Sequence, residues 1–209
     1  MGYNVNGVLK LIKSKKIEIV DLRFADLLGT WQHTSFPVSE IDAGVFKDGL
    51  GFDGSSVRIW QDINNSDMLI VPDPSTAVID PFTAHPTLSM ICDVKDAVTK
   101  KSYDKDPRYV ATKAEKYLKK SGVGDTAYFG PELEFFMFDD VRYESSANEA
   151  FYSVDSVEGE WNSGADEVPN LGHKIRYKEG YFPTSPNDTY QDVRSEMVKV
   201  MQECGIKVE

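Results

Sequence analysis

The chain has 209 residues, enough for one large or two small domains, with 41% apolar residues and a mean hydropathy of −0.38. A net charge of −11 and a pI near 4.8 argue against nucleic acid or an anionic membrane surface as partner, since both repel an acidic protein. No apolar run approaches a membrane span, and the opening MGYNVNGVLKLIKSKK lacks a small-residue cleavage site, so a cytoplasmic protein without a signal peptide is expected.

In chain order, residues 6–14 carry Val8, Leu9, Leu11 and Ile12 at helical spacing and predict a short helix. IEIVDLRFAD (17–26) alternates and is β-rich, Leu28-Gly29-Thr30 marks a turn, and WQHTSFP (31–37) reads as the returning strand, ended by Pro37. Arg23 and Asp26 are expected to hold that hairpin. Ser39–Phe46 predicts a short helix, and strands follow near Met68–Val71, Val78–Asp80 and Leu88–Val94. The polar segment DVKDAVTKKSYDKDPR (93–108) is the best domain boundary, giving domains at 16–100 and 108–209. Tyr109–Lys120 predicts a helix closed at Ser121-Gly122. TAYFGPELEFFMFDD (126–140) carries the strongest strand signal of the second half. Residues 141–189 lack period and read as loop, with a hairpin around HKIRYKEGYF (173–182). Asn187, Asp188 or Thr189 is positioned to cap a last helix with the stripe Val193, Met197, Val200, Met201 and Cys204. Gly205 sits where a left-handed stop belongs, and IKVE (206–209) predicts a new strand; its abrupt end leads us to expect a truncated chain. The elements together predict an α+β fold.

Cys92 and Cys204 stand far apart and outside any Cys-x-x-Cys pair, which argues against structural zinc and a disulfide framework. The histidines, His33, His85 and His173, are scattered, and the sequons at Asn64 and Asn187 carry no weight without secretion.

Three constellations bear chemistry. Glu132 and Glu134 in GPELEFF share a strand face, because side chains two apart point the same way. Two such carboxylates repel unless a hard cation such as Mg²⁺ or Mn²⁺ sits between them; an amphipathic strand with a wet acidic face is the equal alternative. GLGFDGSS (49–56) contains G-x-G-x-x-G, but no helical period follows it, so dinucleotide binding is rejected. What remains is a glycine-rich loop presenting Asp53, Ser55 and Ser56. It can hold a cation or supply a base, although taken alone an ordinary turn is the stronger reading. In KEGYFPTSPNDTYQDVRSEM (178–197) the prolines and aromatics predict an extended, packed loop before the last helix, with Arg194 and Glu196 either at a site or solvating that helix. Trp60 is expected in the core or at an interface.

Four of these stretches, in this order, resemble one family. FDGSSVRIWQDINNSDMLI (52–70) is similar to the amino-terminal signature of type I bacterial glutamine synthetases, and DLRFADLLGTWQHTSFP (21–37) to the family's opening hairpin. GPELEFFMFDD (130–140) and GYFPTSPNDTYQDVRSEM (180–197) match two further landmarks. The resemblance covers nearly the whole chain. It implies an amino-terminal β-grasp domain followed by the start of a catalytic α/β domain. It also implies a dodecamer whose active sites lie between neighbouring subunits.

The resemblance further implies ATP-dependent joining of ammonium to glutamate through a γ-glutamyl phosphate, with Mg²⁺ or Mn²⁺. Glu134 would help hold the metal that positions glutamate, and Glu132 the one that binds the nucleotide phosphates. Asp53 would bind ammonium and help remove its proton, Ser56 would support that loop, and Trp60 would lie near the shared interface. Gly130 and Glu209 would lie at the nucleotide pocket. The family's later metal-ligating glutamates and histidine and its phosphate-binding arginines have no counterpart here, so the chain alone is expected to lack ligase activity. Three alternatives stand beside this reading: a relative that ligates glutamate to a larger amine, a short non-catalytic subunit that docks on full-length subunits, and a stand-alone metal-binding module. The kept pair Glu132 and Glu134 counts against the docking subunit, which would have no use for it.

Overall fold

The structure is a computed structural model that describes residues 2–164 and 172–208. It is α+β and divides by contact into two compact units, with the break between Tyr128 and Phe129.

The first unit opens with helix α1 (Val5–Ser14), capped by Asn4, whose side chain accepts the Gly7 amide at 2.8 Å. One turn apart, Val8 and Ile12 point into the core. Strands β1 (Ile19–Ala25) and β2 (Trp31–Pro37) form the expected antiparallel hairpin. Asp26 makes its turn: Oδ1 accepts the Leu28 and Thr30 amides, both at 2.9 Å, and Oδ2 accepts the Gln32 amide nitrogen at 2.9 Å. Gly29, at φ +86°, supplies the left-handed step. Arg23 departs from its expected role. Its guanidinium bonds Asp21 and Asp80, each at 2.6 Å, and so ties β1 to the end of a distant strand rather than to β2.

The predicted helix at Ser39–Phe46 is two shorter pieces, a 3-10 turn (Val38–Glu40) and the single turn α2 (Val45–Asp48). The break falls at Asp42, whose Oδ1 takes the Gly44 and Val45 amides. A strand that the sequence did not suggest follows, β3 (Leu50–Asp53). Then come β4 (Asp67–Pro72), β5 (Val78–Ile79) and β6 (Thr87–Asp96). The sheet order is β2-β1-β6-β4-β3, with β5 also on β6. β1 and β6 run parallel, with Ile19 facing Thr87; the other ladders are antiparallel.

Alternation along β1 and β6 sends Val20, Leu22, Leu88, Met90 and Val94 into one core with Val8, Met68 and Ile70. Helix α3 (Pro107–Ser121) stays with this unit. Asp106 caps it, Pro107 occupies its first turn, and Gly122 closes it at φ +74°. Arg108 clamps the helix start to the sheet by pairing with both Asp73 and Asp93.

Residues 126–139, which run across the break into the second unit, form no ladder among the described residues, which corrects the expected strand there. A strand is held by a neighbour's backbone, and none of the described residues pairs with this one. The hairpin expected at 173–182 is also absent among the described residues. One occurs instead within the stretch read as loop, between β7 (Asp140–Ser145) and β8 (Ala150–Asp155), closed where the Ser146 amide meets the Glu149 carbonyl at 2.8 Å. Helix α4 (Gln191–Glu203) starts after Tyr190, with no side-chain cap. Its end is a Schellman stop: the Ile206 amide bonds Met201 O and the Gly205 amide bonds Gln202 O, both at 2.9 Å, with Gly205 at φ +81°. Residues 206–208 are not a strand, and Glu209 lies outside the described residues.

Candidate functional site

Asp53 ends β3, and its carboxylate organises the next turn. Oδ1 accepts the Ser55 amide at 2.9 Å and the Ser55 hydroxyl at 2.6 Å, while Oδ2 accepts the Ser56 hydroxyl at 3.0 Å. These are the bonds of an Asx turn reinforced by two serines. The Ser55 side chain and amide, joined by Ser56, hold the carboxyl below the usual carboxylate range, so it is an anion at neutral pH. It is also exposed. An exposed carboxylate that is ionised at neutral pH and sits on a fixed loop can receive a compact cation.

The loop is fixed because its neighbour is buried. A Cβ on Gly54 would overlap the Met68 sulfur, and the Gly54 amide bonds Ser66 O at 2.7 Å. Only glycine lets the backbone lie this close to β4. Trp60, six residues beyond Gly54, is 2% exposed. Its ring packs against Phe24 and Tyr103, each at 5.2 Å between centroids. It is therefore a core residue of the first unit.

Glu132, Glu134 and Gly130 lie on the extended segment of the second unit. Both carboxylates are exposed. Glu134 lines a cleft of about 940 Å³ together with Phe135, Phe138, Arg176, Tyr181 and Arg194. Gly130 has no atom within 4 Å of the place a Cβ would take, so its backbone is open to close approach. Among the described residues no three His, Cys, Asp or Glu side chains come together. A Mg²⁺ ion takes about six oxygens, so these residues do not by themselves make up its site.

Two features of the second unit escaped the sequence. Asp155, largely buried at the end of β8, is held below the ordinary carboxylate range by the Ser163 hydroxyl; it also accepts the Asn162 amide nitrogen at 2.8 Å. Asp188 pairs with Arg194 and accepts the Tyr190 amide at 3.0 Å, which fixes the approach of the chain to α4. The proximity of Asp188 and Arg194 on either side of a helix start was the available signal for the second feature. Asp155 gave none, because its partners follow a turn with no pattern.

Two family models match the chain: "Glutamine synthetase, beta-Grasp domain" over residues 16–97 and "Glutamine synthetase, catalytic domain" over residues 104–209. Glutamine synthetase of Microchaete diplosiphon is 55% identical over 202 residues, covering 97% of this chain and 43% of the relative. That of Aquifex aeolicus is 55% identical over 207 residues, covering 99% of this chain and 44% of the relative. Among solved structures, Plasmodium falciparum glutamine synthetase matches with a TM-score of 0.81 at 28% identity, over 99% of this chain and 41% of that one. The chain thus spans less than half the length of the relatives it matches.

Proposed function

The chain belongs to the glutamine synthetase family, and from that premise we propose that it forms part of a cytoplasmic glutamate–ammonia ligase. The proposed reaction converts glutamate to a γ-glutamyl phosphate with ATP, then lets ammonia displace the phosphate. The observation that carries this reading is the Asp53 loop: an exposed carboxylate kept ionised by Ser55 and Ser56.

Ammonium is not a nucleophile, because its lone pair holds a proton. In this reading Asp53 attracts the cation and accepts that proton as the amine attacks. Ser56 fixes the carboxylate's orientation through its 3.0 Å hydrogen bond. We assign Glu132 and Glu134 as carboxylate donors toward Mg²⁺ or Mn²⁺, whose role when bound is to neutralise phosphoryl charge. Gly130, with its open backbone, is assigned to the nucleotide pocket, as is Glu209, which lies outside the described residues. The assembly we propose is the family's ring, with the Asp53 loop serving a neighbouring subunit. The proposed domains, 16–100 and 108–209, divide the chain by ancestry, whereas the break after Tyr128 divides it by contact.

Two carboxylates are too few to hold a metal firmly. The pure 209-residue chain should therefore release no phosphate from ATP with glutamate and ammonium; turnover above blank would sink that statement. The ligase assignment has its own test. Residues 1–209 are joined to the remaining part of the Aquifex aeolicus enzyme, and ammonium-dependent phosphate release is measured. Activity that Asp53→Asn lowers at least tenfold is expected; a hybrid whose activity this substitution leaves unchanged overturns the role given to Asp53.

A further inference from the structure

We propose that Tyr103 and Lys105 are positioning residues for the Asp53 loop, which they hold by gripping the carbonyl of Trp60. The inference rests on the reading of Asp53 given above, although its geometry does not.

The chain leaves Asp53 through a succession of turns. Gly54 O accepts the Val57 amide at 3.2 Å, and Val57 O accepts the Trp60 amide at 3.2 Å. The succession stops at Trp60, whose carbonyl is met from outside the loop. The Tyr103 hydroxyl donates to it at 2.6 Å and the Lys105 ammonium at 3.0 Å. The same ammonium also reaches Ile59 O at 3.0 Å.

Ile59 shows why a grip is needed. Its φ is +67°, a region that β-branched residues rarely adopt, and its side chain is mostly exposed, so packing does not impose the conformation. Left alone, this peptide would relax to negative φ and carry the Trp60 carbonyl with it. The indole offers only packing as an anchor among the described residues, because none of them gives the buried Trp60 Nε1 a hydrogen-bond partner. The polar restraint on this end of the loop therefore comes from Tyr103 and Lys105. The other end is fixed separately, by the Gly54 amide on Ser66 O.

The two residues are instructive by position. Tyr103 lies in the short stretch matched by neither family model, and Lys105 is the second residue of the catalytic-domain match. The segment that joins the two family domains thus reaches back onto the loop that presents Asp53.

The test uses the 209-residue chain and the titration of individual carboxyl groups by carbon NMR. Tyr103→Phe, Lys105→Met and the double variant are compared with wild type and with Lys105→Arg. Asp80, held by Arg23, serves as internal reference. The expected result is that Asp53 moves up toward the ordinary carboxylate value in the double variant while Asp80 stays, with Lys105→Arg close to wild type. An Asp53 titration unmoved in the folded double variant overturns the proposal, because the two serines would then suffice. If the double variant fails to fold, Tyr103→Phe, which removes one hydroxyl, is read by the same criterion. Ammonium enters none of these measurements, so Asp53 can fail as an ammonium ligand in the hybrid enzyme while the grip on its loop stands.

Discussion

Replacing Asp106 tests how α3 is fastened to the sheet. The residue is 1% exposed, and its two oxygens have different duties. Oδ1 accepts the Arg108 amide at 2.9 Å and caps the helix, while Oδ2 accepts the amide of fully buried Val94 at 3.1 Å. Asp106→Ala removes the cap, a loss of about 1 kcal/mol. It also leaves a buried amide unpaired, a further loss of about 1–3 kcal/mol. With a urea m-value of about 2 kcal/mol/M, the midpoint should fall by about 1–2 M. Asp106→Asn keeps one acceptor of the two and should lose about half as much. The assay is urea unfolding of the whole chain followed by tryptophan emission, which changes as buried Trp60 meets water.

The pH dependence gives a second check. Burial, joined by the nearby Asp93 charge, pushes the Asp106 carboxyl up against the pull of its amide donors. A raised folded pKa means that the native state binds the proton more tightly. Wild type should therefore gain stability relative to Asp106→Asn as pH falls from neutral through that raised value toward 3.8. An Asp106→Ala midpoint within about 0.2 M of wild type would refute the two-duty account. So would an Asp106→Asn midpoint below that of Asp106→Ala.

Three further outcomes are expected. Ile59→Gly should raise stability by about 1 kcal/mol, since glycine accepts positive φ freely; a lower urea midpoint would show that Ile59 is not strained. Asp21 is pushed up by burial but held below its ordinary value by His33, Arg23 and Ser35 together, so its contribution is present above pH 3.8 and lost as pH falls through the lower folded value. Asp21→Asn should accordingly flatten the acid limb of a pH–stability curve, and an unchanged limb would rule out this cluster as its source. Finally, Tyr128, Phe129, Leu133 and Phe136 are 87–93% exposed on one segment. Sedimentation velocity should show mass rising with concentration, with Phe129→Ser and Phe136→Ser together suppressing it; a single monomeric species throughout would contradict this.

The opening hairpin was legible because its signals are local: alternation in β1, and Asp26 with Gly29 at the turn. The buried state of Asp21 was not, since it depends on His33 and Ser35 arriving from β2 and on Arg23 being balanced by Asp80. β3 was hidden because Gly49, Gly51 and Gly54 dilute its strand character; it is a strand through its pairing with β4. The segment 126–139 failed in the opposite sense. Its composition favours a strand, but composition cannot supply the neighbour. The β7–β8 hairpin lacks an Asn-Gly turn and exposes most residues of both strands, so neither turn chemistry nor alternation marked it. At the candidate site, the turn made by Asp53, Ser55 and Ser56 was legible in the loop itself, while the role proposed for Asp53 came only from the family resemblance. The grip of Tyr103 and Lys105 was not, since it spans more than forty positions.

The parallel pairing of β1 with β6 also sets the order in which this molecule can form. The β1–β2 hairpin closes through a short turn and can appear as soon as Pro37 has been synthesised. The other flank of β1 must wait until Thr87 and the residues after it exist, because Ile19 has no earlier partner on that side. Until then β1, which carries Val20, Leu22 and Phe24 of the core, has an open edge, the condition under which chains associate wrongly. Closing so long a loop costs chain entropy before the contacts reward it, so the pairing of β6 with β1 is expected to be a slow step in folding the first unit; helix α3, clamped to β6 through Arg108, has its full anchor only once β6 is in place.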